Sequence, residues 1–188
     1  MLGAPLATQT PSGCGDLPRP EPRTPSVRHH RLEREQRVAR SPADAFAFFA
    51  DARGLEAITP PWLALRVVTP GPIEMRPGAL IDYRLRLHRI PVRWRTRIEA
   101  WEPCERFVDV QLEGPYRLWH HTHEFEADGA GATVIRDTVQ YGLPLGPLGA
   151  LAHNLFVRRD LERIFDFRRD AVERLLGHCR RDPGAVAS

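Results

Sequence analysis

Apolar and polar residues alternate through most of the stretch from residue 79 to residue 143, and a single long helical pattern follows. Ile81, Tyr83, Leu85 and Leu87 alternate with Asp82, Arg84, Arg86 and His88. Val92, Trp94, Thr96 and Ile98 alternate with Arg93, Arg95, Arg97 and Glu99. A period of two puts each set on its own face of a strand. Strands are predicted over residues 79–88 and 92–101, joined as a hairpin by Arg89-Ile90-Pro91. Residues 107–113, 117–127 and 133–143 are three more, the last two linked by the turn Asp128-Gly129-Ala130-Gly131. Residues 30–39, which are very polar, and residues 62–69 complete a sheet of seven.

An antiparallel sheet with one apolar face needs a cover. The only segment able to supply it is 147–177. There Leu148, Leu151, Ala152, Leu155, Ile164, Phe165, Arg168, Val172, Leu175 and Leu176 recur at threes and fours, with Gly177 as the stop. Two short helices are expected after the first strand. Ser41-Pro42-Ala43-Asp44 opens one with a cap, a first-turn proline and an acid that complements the helix dipole. The other spans 55–58 and is ended by Thr59-Pro60-Pro61. The fold class is therefore α+β: a seven-stranded curved antiparallel sheet wrapped around a long C-terminal helix, with a space left between them.

Residues 1–28 read as a disordered proline-rich tail. Proline stands at almost every second position of Pro18–Pro25, which excludes a hydrogen-bonded ladder or a helix. The domain is expected over 29–178, with 179–188 as a flexible C-terminus. The chain has 188 residues, 42% of them hydrophobic, so one real core is affordable in size. Its net charge of +3 is small. The basic row Arg84, Arg86, Arg93, Arg95 and Arg97 reads as a solvated sheet face, open at most to transient contact with a membrane surface. No nucleic-acid motif accompanies it. Cys14, Cys104 and Cys179 are too far apart for a disulfide framework or a zinc knuckle, which fits a reducing compartment. With no secretory signal and no apolar run long enough to span a bilayer, a cytoplasmic protein is expected.

Several strings occur in a telling order. Ser41-Pro42-Ala43-Asp44-Ala45-Phe46 opens the first helix, and Ile58-Thr59-Pro60-Pro61-Trp62 follows it. Gly78-Ala79-Leu80-Ile81-Asp82-Tyr83 and Ile90-Pro91-Val92-Arg93-Trp94-Arg95-Thr96 begin the hairpin strands. Gly114-Pro115-Tyr116-Arg117-Leu118-Trp119-His120-His121-Thr122-His123 and Tyr141-Gly142-Leu143-Pro144-Leu145-Gly146 come later. Over residues 31–177 the chain resembles the START-like, or SRPBCC, superfamily with its helix-grip fold, in particular the polyketide cyclase/dehydrase-like ligand-binding group. The resemblance implies a deep apolar cavity that binds or carries a small hydrophobic molecule such as a lipid, a quinone or a polyketide. A minority of the superfamily catalyses cyclisation or dehydration. An aromatase/cyclase or dehydratase without cofactor is thus the alternative, and a regulatory or stress-related interaction protein is a third.

The residues themselves supply candidates. His121 and His123 share a strand face with Trp119 and Phe125, while His120 points away. Two same-face histidines lack a third ligand at any familiar spacing, so no metal is expected. The 128–131 turn fixes the register closely enough to put Asp137 opposite His121 or His123. Asp137 shares its face with Ile135, Val139 and Tyr141, so its carboxylate needs a partner. A paired Asp137 and histidine could position a ligand or act as acid and base. Tyr83 or Tyr141 could then donate a hydrogen bond. Tyr83, Trp94, Thr96 and Ile98 face the interior from the hairpin. Asp109 and Gln111 would join them if Phe107 points inward, which the pattern of 107–113 leaves open. Removing residues 1–28 should leave the melting temperature nearly unchanged, because they carry little apolar surface; a large fall in a thermal scan would show a docked segment.

Overall fold

A computed structural model describes residues 29–129, 131–144 and 146–177. The expectations for 1–28 and 179–188, and for Cys14 and Cys179, lie outside these residues. The chain forms β1 (His29–Val38), α1 (Pro42–Ala50), two 3-10 turns (Gly54–Glu56 and Pro61–Leu63) and β2 (Arg66–Val67). There follow β3 (Leu80–Leu87), β4 (Ile90–Glu102), β5 (Arg106–Glu113), β6 (Leu118–Ala127) and β7 (Thr133–Gly142). The C-terminal helix is built from α2 (Gly146–Ala152), a π-helical segment (His153–Val157) and α3 (Arg158–Leu176). The sheet order is β1-β7-β6-β5-β4-β3-β2, with antiparallel neighbours throughout.

The alternation in the sequence is the alternation in burial. Ile81, Tyr83 and Leu85 are buried, while Arg84 and Arg86 are exposed. On the outer face Arg95 pairs with Asp82 at 2.7 Å and Glu113 at 3.1 Å. The basic row is thus partly neutralised in place. The hairpin turn lies one residue earlier than Arg89-Ile90-Pro91. His88 and Arg89 both adopt positive φ, 48° and 69°, and Leu87 pairs with Ile90. Two left-handed residues match the strand twist, but neither is glycine, so each costs about 1–2 kcal/mol. His88 offsets this by contacting Asp160 of α3 at 2.6 Å. Register shifts at Arg95/Thr96 and Ile98/Ala100 interrupt the β4–β5 ladder. Such irregularities bend a strand and help the sheet to curl.

Ser41 caps α1 as expected, its Oγ accepting from the Asp44 N–H at 3.2 Å. Phe46 then inserts between Trp101, Phe107 and Phe125, edge-on to all three rings at 4.9, 5.9 and 5.3 Å. Val38, Ile135, Ala171, Val172 and Leu176 complete this core under the C-terminal half of α3. Each such apolar side chain contributes about 1.5–3 kcal/mol on burial. Gly177, at φ 87°, ends α3 and its carbonyl accepts from the Ala39 N–H at 3.2 Å, tying the helix end to the end of β1.

Two expectations needed correction. The strand over 62–69 shrinks to Arg66–Val67, because Pro61 opens a 3-10 turn and Ala64 takes φ 44°. The helix over 147–177 keeps its extent but not its face. Leu148, Leu151, Leu155 and Leu175, read as core, are 67%, 55%, 60% and 50% exposed. The π-helical segment inserts an extra residue into the helical count, so the apolar stripe of α3 is not the continuation of the stripe before it; Leu175, within α3, simply lies beside the buried stripe and not on it. The stripe that reaches the sheet is Leu161, Phe165, Val172 and Leu176. Among the described residues no helix is long and apolar enough to cross a membrane. Phe46→Ala should cost about 3–5 kcal/mol in chemical denaturation; a loss under about 1 kcal/mol would show that α1 does not close this end of the sheet.

Candidate functional site

The inner face of the sheet and α3 enclose a cavity of about 170 Å³. Its walls are mostly apolar: Ile81, Tyr83 and Leu85 from β3, Trp94 and Ile98 from β4, and Leu161, Ile164 and Phe165 from α3. Phe48, Phe49 and Leu55 close it from α1 and the turn beyond. Trp94, Tyr116 and Trp119 pack as an aromatic corner, with ring centroids 4.8–5.6 Å apart. The Trp94 indole N–H donates to Thr96 Oγ1 at 3.0 Å, which fixes the ring and satisfies its one polar atom.

Against this apolar wall stands a row of four ionisable side chains. Phe107 is inside, which settles the face of β5 and brings Asp109 inward. Asp109 pairs across the ladder with His121, and His123 with Asp137. His121 Nε2 lies 3.1 Å from Asp137 Oδ1, and His121 Nδ1 3.5 Å from Asp109 Oδ2. His123 Nε2 lies 3.3 Å from Asp109 Oδ2. His123 Nδ1 is 2.7 Å from Asp137 Oδ1 but out of line for a hydrogen bond, so this contact is a close ion pair. The two imidazoles face each other, centroids 3.8 Å apart. Both histidines are 4% exposed and Asp137 is 8% exposed.

Burial opposes charge on every member of the row, and the neighbours decide which charges survive. For Asp137, burial pushes the pKa up, but the charge on His123, 2.7 Å away, and the hydrogen bond from His121 hold it far below the usual carboxylate range. Asp109 is held low in the same way against burial, by a hydrogen bond from His123, by both histidines and by Arg168. His123 is raised: burial lowers it, but Asp137 and Asp109 outweigh that. His121 is lowered by burial and by the charge on His123, more than its two carboxylate neighbours restore. The row therefore favours charge on both carboxylates and on His123 and disfavours it on His121. Arg168, reaching in from α3, supplies the remaining positive charge.

Eight of the predicted site residues line the cavity: Tyr83, Trp94, Thr96, Ile98, Asp109, Trp119, His121 and His123. Three do not. Asp137 lies behind the histidines, with its carboxylate turned to their far ring atoms. Gln111 clamps the β5–β6 loop, donating to the Tyr116 carbonyl at 2.7 Å and accepting from its N–H at 3.3 Å. Tyr141 contacts His153 Nε2 through its hydroxyl at 2.9 Å, and His153 stacks on His30 at 3.5 Å. The sequence reading missed Tyr116 and the significance of Arg168. The signal for Arg168 was a charge on the apolar phase of a helix, three residues after Phe165 and four before Val172.

Stability should peak near the ordinary histidine pKa of 6.5. Above it, the folded state holds the His123 proton that the unfolded state releases, so stability falls as pH rises toward the raised value. Below it, the unfolded state protonates His121 more readily, and below about 3.8 the carboxylates as well, so stability falls as pH falls. Thermal melts from pH 4 to pH 9 should show that maximum. A melting temperature that is flat or rising above pH 6.5 would mean that His123 is neutral.

Comparison with known proteins accords with this architecture. No curated protein matches the chain significantly. Among solved structures, the Zhui aromatase/cyclase from Streptomyces sp. R1128 superposes with a TM-score of 0.57 at 15% identity, covering 84% of this chain and 99% of that one. A START superfamily protein from Mycobacterium smegmatis gives 0.58 at 12% identity, covering 78% and 99%. Norcoclaurine synthase from Thalictrum flavum gives 0.56 at 16% identity, covering 78% and 88%. At such identities the likeness is one of fold. The family profile for polyketide cyclase / dehydrase and lipid transport matches residues 29–177, nearly the whole described chain, and the protein belongs to that family.

Proposed function

We propose that the protein binds a small, ring-sized, largely apolar molecule whose single polar end is an oxygen anion or carbonyl. The observation that carries this reading is Arg168. It projects from the apolar stripe of α3 into the cavity wall, with its guanidinium carbon 5.2 Å from the Phe165 ring centroid. Its Nε is buried and has no hydrogen-bond partner among the described residues. A buried donor without an acceptor is costly, and an oxygen at the polar end of a ligand would satisfy it. A space near 170 Å³ is comparable to apolar protein cavities that admit one benzene-sized ring. The aromatic corner of Trp94, Tyr116 and Trp119 offers faces and edges to such a ring. The family description, cyclase, dehydrase and lipid transport, is consistent with a small organic ligand.

A second reading is supported by the split between the histidines. His121, its pKa lowered by burial and by the charge on His123, lines the cavity and is held by Asp137, an arrangement able to accept a proton from a bound substrate. Two of the structural neighbours are a cyclase and a synthase. Under this reading Asp137 orients His121 rather than touching substrate, and Tyr83, whose pKa is pushed up mainly by burial, stays a hydrogen-bond donor.

Titration of an environment-sensitive dye, displaced by aromatic carboxylates and by neutral rings of equal size, tests the first reading. Arg168→Met should weaken the carboxylates by about tenfold to a hundredfold, equivalent to 1.5–3 kcal/mol, and spare the neutral rings. Equal losses for both would remove Arg168 as the anchor, and flat titrations would remove the cavity as a binding site. Asp137→Asn separates the two readings. A carrier keeps its affinity to within a few-fold, whereas an acid–base enzyme binds normally and loses most of its turnover.

A further inference from the structure

We infer that Asp109, His121 and His123 form a binding site for one divalent transition-metal ion, with Asp137 as the carboxylate that orients both histidines. The inference does not rest on the ligand reading, because metal uptake is measured with no organic molecule present. The sequence supplied two histidines and no third ligand. The fold supplies it, since the β5–β6 register sets Asp109 directly opposite His121.

The case is geometric. His121 and His123 stand two apart on β6, so both rings rise from one face of the strand. Asp109, His121 and His123 each offer a ligand atom, and these atoms all lie within 4.8 Å of one another. Asp109 Oδ2 is 3.5 Å from His121 Nδ1 and 3.3 Å from His123 Nε2. In a tetrahedral site with bonds of about 2.0–2.1 Å, neighbouring ligand atoms stand about 3.3 Å apart. Two of the three separations therefore already match such a site, and the third, between the two imidazole nitrogens, is no more than 4.8 Å. The opposite ring nitrogens, His121 Nε2 and His123 Nδ1, both turn to Asp137 Oδ1, at 3.1 and 2.7 Å. A carboxylate behind metal-binding histidines fixes their orientation and raises their basicity. Here Asp137 takes the hydrogen bond of His121 Nε2 and lies beside His123 Nδ1 as its ion-pair partner, which leaves one nitrogen of each ring aimed toward Asp109.

The donor set also selects the ion. Two imidazoles and one carboxylate suit Zn²⁺, Co²⁺ or Fe²⁺ and not Mg²⁺ or Ca²⁺, which prefer oxygen alone. All three ligands line the cavity and Asp137 does not. The remaining coordination position thus opens into the apolar space, where an oxygen of water or of a bound molecule would complete the shell. Such open sites are the kind that do chemistry, whereas closed four-ligand sites are structural.

The full chain, freed of metal with a chelator, is titrated with Co²⁺ and with Zn²⁺. Visible d–d absorption reports Co²⁺ coordination, calorimetry reports stoichiometry, and a thermal scan reports stabilisation. The expected result is one ion per chain, a cobalt spectrum typical of low coordination number, and a raised melting temperature. Mg²⁺ should give none of these. Asp109→Asn and His123→Ala should abolish the spectrum, and Asp137→Asn should weaken binding by about tenfold to a hundredfold. His120→Ala, on the outer face, should change nothing. Wild-type protein that shows neither spectrum nor stabilisation with millimolar Co²⁺ or Zn²⁺ overturns the inference, whatever the variants do. So does one-to-one binding that survives in Asp109→Asn.

Discussion

Four ionisable groups side by side in a sheet, three of them buried and Asp109 half-buried, can exist only if they neutralise one another, and the rest of this structure is arranged so that they do. Removing a carboxylate and an imidazolium from water costs several kcal/mol each, and their attraction returns that only with good geometry. The geometry comes from the ladder. Asp109, His121, His123 and Asp137 sit on β5, β6 and β7, three neighbouring interior strands, each on the inward phase of its pleat. A slip of one residue in either pairing would send a carboxylate to the outer face and leave a buried imidazole unmatched. The backbone hydrogen bonds of Ala132 with Asp128 and Gly129 and the apolar set Phe125, Ile135 and Val139 hold the β6–β7 register against such a slip. On the other side Phe107 fixes β5 by stacking on His123 at 4.2 Å.

Much of this was legible in the chain itself. Strict alternation over 79–88 and 92–101 determined β3 and β4, and a short turn narrowed the partner of Asp137 to His121 or His123, of which the ladder pairs His123. The unread parts share a physical origin. In β5, Val108 and Phe107 are both buried, so hydrophobicity alone does not choose a face and Asp109 could not be assigned. The choice is made by rings on other elements, Phe46 and His123, which no local pattern reveals. The misread face of the C-terminal helix comes from the π-helical segment at His153–Val157. Its extra residue leaves composition untouched and changes only the phase. Gln111 was expected at the site only if Phe107 faced inward; Phe107 does, but the Gln111 amide is consumed by the Tyr116 backbone. Side-chain phase predicts direction, and it does not predict which partner takes the polar end.

That clamp matters to the cavity more than a direct contact would. Tyr116 follows a Gly-Pro pair in a loop, where backbone freedom is normally large. With both its N–H and its carbonyl bound to one amide, the loop is held as firmly as a strand, and the Tyr116 ring becomes a fixed wall beside Trp94 and Trp119. The tip of the β3–β4 hairpin is likewise held from α3, through Asp160 and His88. The cavity is therefore bounded by loops whose positions are set by side-chain contacts. This lowers the entropy lost when a ligand settles, and rigid walls discriminate by shape more sharply than loose ones.

The charged row also bears on what kind of cavity this is. A vessel for apolar molecules alone needs no ionisable group in its wall. Replacing a buried ionic cluster by well-packed apolar residues is often neutral or stabilising by about 1–4 kcal/mol. The row here is not forced by the fold, since the strands would pair equally well with Leu or Val at these positions. It faces the same space as Arg168, so any occupant meets an apolar enclosure on most sides and fixed charge on one. An environment of that kind strengthens every electrostatic interaction inside it, because little water is present to screen them. It favours an occupant with a single polar end held in one orientation. A row that costs stability and imposes orientation is better explained by recognition of a particular functional group, or by chemistry upon it, than by storage of hydrocarbon.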